Sequence, residues 1–474
     1  MSVPAATRVR TARLAWWGFA GTALVLAIIL VEVLRRPDDP ESGFDDGFVS
    51  LAVFAAAVLL AVFAAAAFTR NLEVRVRRGF PWLVGGVSLV LALVPWWLIS
   101  ADRADAAAAI YRGLQVPRGI VQFWDLSLIL KSIDCSAQGF DVFAANNGCL
   151  TDPTIYGPGM LWLQYVPFGV FSDARTAWLG VAALLMSSLF LVWLARDSQG
   201  PGQIVLLVAA IGAPWQLLLE RGNVDAALLW GACAVVILVR RRDRLWAWWL
   251  AAAVIWLLGT WKYYPFTMGL MLIPVLRLRR GWTVLVGFAV ASAVFMALSW
   301  DSFRFSAQSN TDMIDISDWV VLGRVPVVVR MLGGEAGTGI HAQDVIVFLL
   351  ALAAIGWGAA VALTTRRTLM HPAMLAVAGS SMFLAPVLVA GFGWAYKALL
   401  LLLCVPMVAA LTRSSRVVVV ASSVAVLGLI AIVSFVVINT MLATLAGIVA
   451  AAFCAGLAAV LIVKAAIRGR PTTA

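Results

Sequence analysis

The sequence predicts an all-α polytopic membrane protein of about fourteen spans, with two larger outer-face loops carrying juxtamembrane helices. Three observations lead there. The 474-residue chain is 63% hydrophobic and only 12% charged, more apolar surface than a water-soluble core can enclose. Apolar runs of about 17–24 residues recur from end to end, the length a helix needs to cross the hydrocarbon layer. The basic residues concentrate on alternate loops.

The spans fall near 14–34, 49–69, 81–100, 177–195, 203–219, 224–239, 245–261, 264–276, 282–300, 344–363, 373–391, 398–412, 417–438 and 441–463. No small-residue cleavage site follows the first run, so it reads as a retained anchor rather than a signal peptide. An even number of spans puts both termini on one face. With that face cytoplasmic, the inner side holds 22 of the 35 Lys and Arg but 3 of the 24 acids, a net charge of +19. The outer side nets −8, so the overall +11 is a positive-inside signature and not a nucleic-acid footprint. The localisation this implies is the cell inner or plasma membrane, multi-pass, with the active face outside.

The segment 157–171, "GPGMLWLQYVPFGVF", is apolar but short and interrupted by Gly and Pro. Counted as a span it would invert every later loop and place the Arg240–Arg242 run outside. It is therefore expected to lie on the surface or to re-enter. Two outer segments stand out for length, 101–176 and 301–343, while every cytoplasmic connection is short. Chemistry is expected on the outer face. The acidic linker 35–47 separates an N-terminal two-span hairpin (1–78) from a transmembrane core (79–412), and a C-terminal two-span hairpin with a cytoplasmic tail (413–474) completes the division.

Cys233, Cys404 and Cys454 fall inside spans, where Cys behaves as a small apolar residue. Cys135 and Cys149 share the first large outer loop, where an oxidising exterior permits a disulfide; two separate thiols is the alternative. With two His in the chain, His341 and His371, no metal site is expected.

Four outer-face groupings carry candidate chemistry. In "QFWDLSLILKSIDC" (122–135), apolar residues at 123, 126, 129, 130 and 133 predict an amphipathic surface helix with Asp125 in its first turn. Asp125 there is either a helix cap or a working carboxylate. The hairpin tip "LERGNVDAA" (219–227) sets Glu220, Arg221, Asn223 and Asp225 between two apolar spans, with Gly222 and Asn223 as turn formers; a salt-bridged tip is the plain alternative. "GTWKYYPF" (259–266) and "GFGWAYKA" (391–398) each set a lysine, Lys262 or Lys397, among aromatics at a span end. Each is either an aromatic belt with a snorkelling lysine or a cation at headgroup depth. The second outer loop carries His341, the one outer histidine, as an acid/base or phosphate contact or else a plain interfacial residue.

In this order the groupings resemble the GT-C glycosyltransferases, polytopic enzymes that take sugars from polyprenyl phosphates. The branch they look most like is the polyprenyl-phosphate-mannose-dependent mannosyltransferases, glycosyltransferase family 87-like. The resemblance rests on Asp125 in the first large outer loop and on the turn Gly139-Phe140-Asp141-Val142-Phe143 with Tyr156-Gly157-Pro158. It also rests on Gly222-Asn223-Val224-Asp225, Lys262-Tyr263-Tyr264-Pro265 and Trp394-Ala395-Tyr396-Lys397. It covers roughly residues 81–410; the N-terminal hairpin and the cysteine pair lie outside the common pattern.

The resemblance implies transfer of mannose or another pentose or hexose to a cell-envelope glycolipid or polysaccharide, with inversion and without a cofactor. Asp125 would be the general base, with His341 as a second catalytic group. Lys262, Arg221, Lys397 and Tyr264 would meet the donor phosphate; Asn223, Asp225, Tyr156, Asp141, Trp394 and Tyr396 would line the substrate. The partners implied are a polyprenyl-phosphate sugar, a glycan or glycolipid acceptor and membrane lipid, with no nucleic acid. Two rivals stand beside it. A transporter or flippase would concentrate polar groups at mid-membrane. A ligase using a lipid pyrophosphate would need a more Arg-rich loop than 301–343 provides.

Overall fold

The computed structural model describes residues 74–114, 116, 123–144, 147–150, 153–154, 156–165, 173–198, 201–240, 244–303, 342–365, 369–386, 395–411 and 440–468. The expected spans 14–34, 49–69 and 417–438, the linker 35–47 and most of the second outer loop lie outside these residues.

All regular structure among the described residues is helical. In chain order it comprises α1 (Val74–Ser100), α2 (Ala104–Gly113), α3 (Trp124–Ala137), the 3-10 helix Pro158–Tyr165, α4 (Asp173–Ser198), α5 (Pro201–Ile211), α6 (Ala213–Arg221) and α7 (Asp225–Val239). There follow α8 (Leu245–Trp261), the 3-10 helix Tyr264–Arg277, α9 (Trp282–Leu298), α10 (Ala342–Thr364), α11 (Met370–Ala385), the 3-10 helix Ala395–Cys404, α12 (Val405–Leu411) and α13 (Thr440–Arg468).

Among the described residues, four stretches are long and apolar enough to cross a membrane: Gly79–Ser100, Arg175–Ser198, Val345–Thr364 and Gly447–Ile467. Leu245–Trp261, Trp282–Leu298, Met370–Ala385 and Lys397–Leu411 are apolar but shorter. Their outward faces carry Trp82, Trp97, Trp178, Val290 and Leu298 exposed. Such a surface would drive association in water and is ordinary against lipid. The architecture fits a helical membrane protein.

Sequence pattern and structure part company at several spans. Residues 203–219 form two helices, α5 and α6, broken at Gly212. The cause is Pro214, which has no N–H for the preceding turn and whose ring would crowd it. The carbonyl of Ala210, left without a helical partner, accepts the Gln216 side-chain amide at 2.6 Å. In an apolar surround each such group needs a partner, so the break is stable only because Gln216 supplies one. Helices α6 and α7 then turn through 102° between Arg221 and Asp225. Of the segment 157–171, Pro158–Tyr165 form a 3-10 helix that packs on α3 and α8, and 166–171 lie outside the described residues. The expected span 264–276 is a 3-10 helix with Pro265 at its start and Pro274 inside. The expected span 398–412 is likewise part 3-10 helix and part α12.

Packing is set by close helix approaches and a few buried polar ties. Trp215 of α6 donates its indole N–H to Ser88 of α1 at 2.8 Å, well inside the bundle. Lys464 of α13 donates to the carbonyls of Ala362 and Leu363 at 2.7 and 2.8 Å, capping the C-terminus of α10. Along that same α10–α13 contact, a β-carbon on Gly358 would lie 2.1 Å from the Phe453 carbonyl oxygen, whereas one on Gly356 would meet nothing within 4 Å. Gly358→Ala should therefore lower stability by about 1–3 kcal/mol through forced separation of two backbones. Gly356→Ala on the same helix should be neutral or slightly stabilising. Thermal melts of both variants in one detergent check this; equal effects would mean that the crossing is not backbone-limited.

Candidate functional site

The candidate site forms where α3, the α6–α7 tip, the end of α8 and the 3-10 helices Tyr264–Arg277 and Ala395–Cys404 converge. It starts from the entry to α3. Phe123, the residue before the helix, has φ 56° and ψ 37°, in the left-handed region that costs a non-glycine residue about 1–2 kcal/mol. Two contacts hold it there. Its N–H donates to the Glu220 carbonyl at 2.8 Å, and its buried ring fills a slot against Gly180, where a β-carbon would come within 2.4 Å of the ring. This peg fixes the direction in which α3 leaves and therefore where Asp125, two residues on, points.

Gly222 makes the facing half. At φ 60° it ends α6, with its own N–H and that of Asn223 donating back to the carbonyls of Leu219 and Leu218 at 3.1 Å. That is the left-handed termination that glycine serves best. The turn aims the Asn223 side chain at α3. Its Oδ1 accepts the Asp225 N–H at 2.9 Å, opening α7, and its Nδ2 donates to Asp125 Oδ2.

The ion pairs follow. Arg221 Nη1 stands 3.5 Å from Asp125 Oδ1. Lys262 follows the last residue of α8, and its ammonium donates to Asp225 Oδ1 at 2.7 Å and to Asn223 Oδ1 at 3.4 Å. Tyr264 OH donates to that same Asp225 oxygen. The Lys262 Nζ lies 5.4 Å from the Tyr156 ring centre, and the Lys397 Nζ lies 5.4 Å from that of Tyr264. Tyr156 is placed by its neighbour, since Gly157 N–H donates to the Trp261 carbonyl at 2.8 Å and so docks the loop onto the end of α8.

Burial raises the Asp125 carboxyl above its ordinary range, with a smaller push from Asp225. Arg221, the Asn223 hydrogen bond and Lys262 oppose that rise without cancelling it. The Tyr156 hydroxyl is pushed well up by burial and by both carboxylates, so it stays protonated. The site can thus do two things: offer a carboxylate that holds and gives up a proton within one small volume, and surround an anion with cations.

Of the residues expected from sequence, Asp125, Arg221, Asn223, Asp225, Lys262, Tyr264, Tyr156 and Lys397 come together here. Asp125 is not the helix cap, because the cap position is Phe123 and the carboxylate is engaged by Asn223 and Arg221. Asp141 stands elsewhere: it is exposed, and its carboxylate accepts the Phe143 N–H at 3.1 Å in a local turn. That turn lies in the loop closed by a disulfide between Cys135 and Cys149. His341, Trp394 and the side chain of Tyr396 lie outside the described residues. Sequence reading missed Phe123 and Gly180. A large apolar residue directly before a carboxylate-bearing helix was the available signal for the first; nothing local marks the second.

No family model, no curated protein and no solved structure matches this chain.

The peg makes a prediction. Gly180→Ala should displace the Phe123 ring, and Phe123→Ala should empty the slot at a cost of about 3–5 kcal/mol. Both should loosen the N-terminus of α3 while its disulfide end stays protected. Hydrogen exchange at residues 124–128 reads this directly; unchanged protection in both variants would show that Phe123 does not set the helix entry.

Proposed function

We propose that this protein is an integral membrane glycosyltransferase of the GT-C kind. It takes a sugar from a polyprenyl phosphate and passes it to a hydroxyl of a cell-envelope glycolipid or polysaccharide on the outer face. The reading includes about fourteen spans, cytoplasmic termini and the division into hairpin, catalytic core and C-terminal hairpin given above.

The observation that carries it is the burial of Asp125 within one cluster with Arg221, Lys262 and Lys397. Support for the outer face comes from the Cys135–Cys149 disulfide on the helix that bears Asp125, since such bonds persist on oxidising sides of membranes. Outside the cell there is no nucleotide-sugar pool, so an activated sugar arrives on a lipid phosphate.

In the proposed step Asp125 takes the proton of the acceptor hydroxyl as that oxygen bonds to the anomeric carbon. The bond from that carbon to the phosphate oxygen breaks, and the phosphate departs with the electron pair. Arg221, Lys262 and Lys397 offset its growing charge, Lys262 by exchanging part of its contact with Asp225 for the phosphate. One displacement inverts the centre. A transporter or flippase for a lipid-linked or polyol substrate is the second reading, favoured by the 102° bend between α6 and α7, since interrupted helices line transport paths.

Asp125→Asn in purified membranes should insert normally and lose transfer of labelled sugar from polyprenyl phosphate by about 10²- to 10⁴-fold. Retained transfer sinks the assignment. Substrate movement across proteoliposomes with no transfer at all selects the second reading. Lys262→Ala should raise the apparent KM for donor more than it lowers kcat; an unchanged KM returns Lys262 to the aromatic belt.

The pH dependence follows from the raised Asp125 carboxyl. A base works only when deprotonated, so transfer should fall as pH drops through a value above the ordinary carboxylate range. The residual activity of Asp125→Asn should lack that acid limb.

A further inference from the structure

Asn223 was expected to line the substrate, yet the protein occupies its side chain. It is buried, and its Oδ1 receives two donors, the Asp225 N–H at 2.9 Å and the Lys262 ammonium at 3.4 Å. With both donors on Oδ1, the Nδ2 face is fixed toward Asp125, to which it donates. One planar amide therefore spans the carboxylate and the cation, held by the turn that opens α7.

We propose that Asn223 is a positioning residue and not a ligand contact: its amide couples Asp125 to Lys262, so that a charge change at one is felt at the other. The charged and titratable groups facing Asp125 are Arg221 and Asp225 from the α6–α7 tip, Lys262 from the end of α8 and Tyr156 from the loop docked on it. Among these, Arg221 reaches Asp125 through one 3.5 Å contact, whereas Asn223 binds the other carboxylate oxygen directly. Polarisation of the amide by Lys262 strengthens the hydrogen bond that the amide donates to Asp125. A phosphate that draws the ammonium away from Asn223 weakens that bond, leaving Asp125 a stronger base when the donor is in place. This deepens the transfer reading and rests on it for its functional meaning; the coupling itself is a property of the resting protein.

The test reads Asp125 and not activity. The full-length protein in lipid nanodiscs is titrated by infrared difference spectroscopy, with the Asp125 carboxyl band assigned by its loss in Asp125→Asn. Asn223→Ala should raise the proton affinity of Asp125 about tenfold or more, one unit on the pH axis. Asn223→Asp is the sharper variant. It keeps the acceptor that opens α7 and replaces the donor with a second carboxylate, so Asp125 should hold its proton more tightly still. If Asn223 serves only the turn, Asn223→Ala leaves the Asp125 titration where it was, and the proposal fails. The coupling is read by a double-mutant cycle. Lys262→Ala should shift the Asp125 titration severalfold more in the wild-type background than in the Asn223→Ala background. Equal shifts would mean that Lys262 acts through space alone, and the coupling would be overturned. Because no step needs sugar transfer, a failure here is distinguishable from failure of the glycosyltransferase reading.

Discussion

The arrangement depends on how charge is kept where water is scarce. An unpaired ion moved into an apolar interior costs several kcal/mol even after relaxation, on the order that would unfold a domain if left uncompensated. Here Asp125, Asp225, Lys262 and Lys397 are nearly all hidden from solvent, with Arg221 only partly so. They survive because each sits beside an opposite charge or an aromatic face. The Lys262–Asp225 pair at 2.7 Å is the tightest of these contacts that involves two ions. Its geometry is aided by the backbone. Asp225 opens α7 and Lys262 follows the end of α8, so each charge meets the helix terminus whose dipole favours it. Where α7 begins and α8 ends side by side, the pair also fixes their register.

That requirement explains features that would otherwise be liabilities. A left-handed Phe123 is unfavourable taken alone, and a proline-broken helix in an apolar bundle exposes a carbonyl. The first is tolerated because its N–H and ring are both used to place α3. The second is tolerated because Gln216 covers the Ala210 carbonyl, which lets α6 leave α5 at a new angle and deliver Arg221 and Asn223 to the carboxylate. Strain at Phe123 and the break at Gly212 are both conditions for bringing the α6–α7 tip under α3.

Much of the site was legible because charges in so apolar a chain are few and each needs a reason. Asp125, Arg221, Asn223, Asp225 and Lys262 could be singled out from their rarity and from the side of the membrane that the arginine distribution assigned them. What the sequence did not carry was who meets whom. That the Asn223 amide meets a carboxylate 98 residues away could not be read, because a turn asparagine has the same composition whether its amide faces solvent or such a partner. Asp141 was expected among the substrate-lining residues from its motif, and its carboxylate accepts the Phe143 N–H of its own turn. The helix boundaries failed for a related reason. Hydropathy reports that 203–219 is apolar, but Pro214 decides whether it is one helix or two, and a window average does not weigh one missing N–H.

The two ends of α3 show how the site keeps its shape around a helix of only 14 residues. At its N-terminus the Phe123 peg and the bond to Glu220 set the entry. Near its C-terminus Cys135 is bonded to Cys149, fourteen residues on, in the loop that returns to Tyr156. Thr154 N–H donates to the Val142 carbonyl at 2.9 Å, and Gly157 N–H to the Trp261 carbonyl at 2.8 Å, completing that return. The carboxylate helix and the tyrosine loop are thus tied to each other at one end and to α6 and α8 at the other. Closing a loop of this size removes about 3 kcal/mol of conformational freedom from the unfolded chain in the chain-entropy account. The disulfide therefore lies on the same structural path as the ion pairs: it limits the freedom of the two segments whose side chains, Asp125 and Tyr156, flank Lys262.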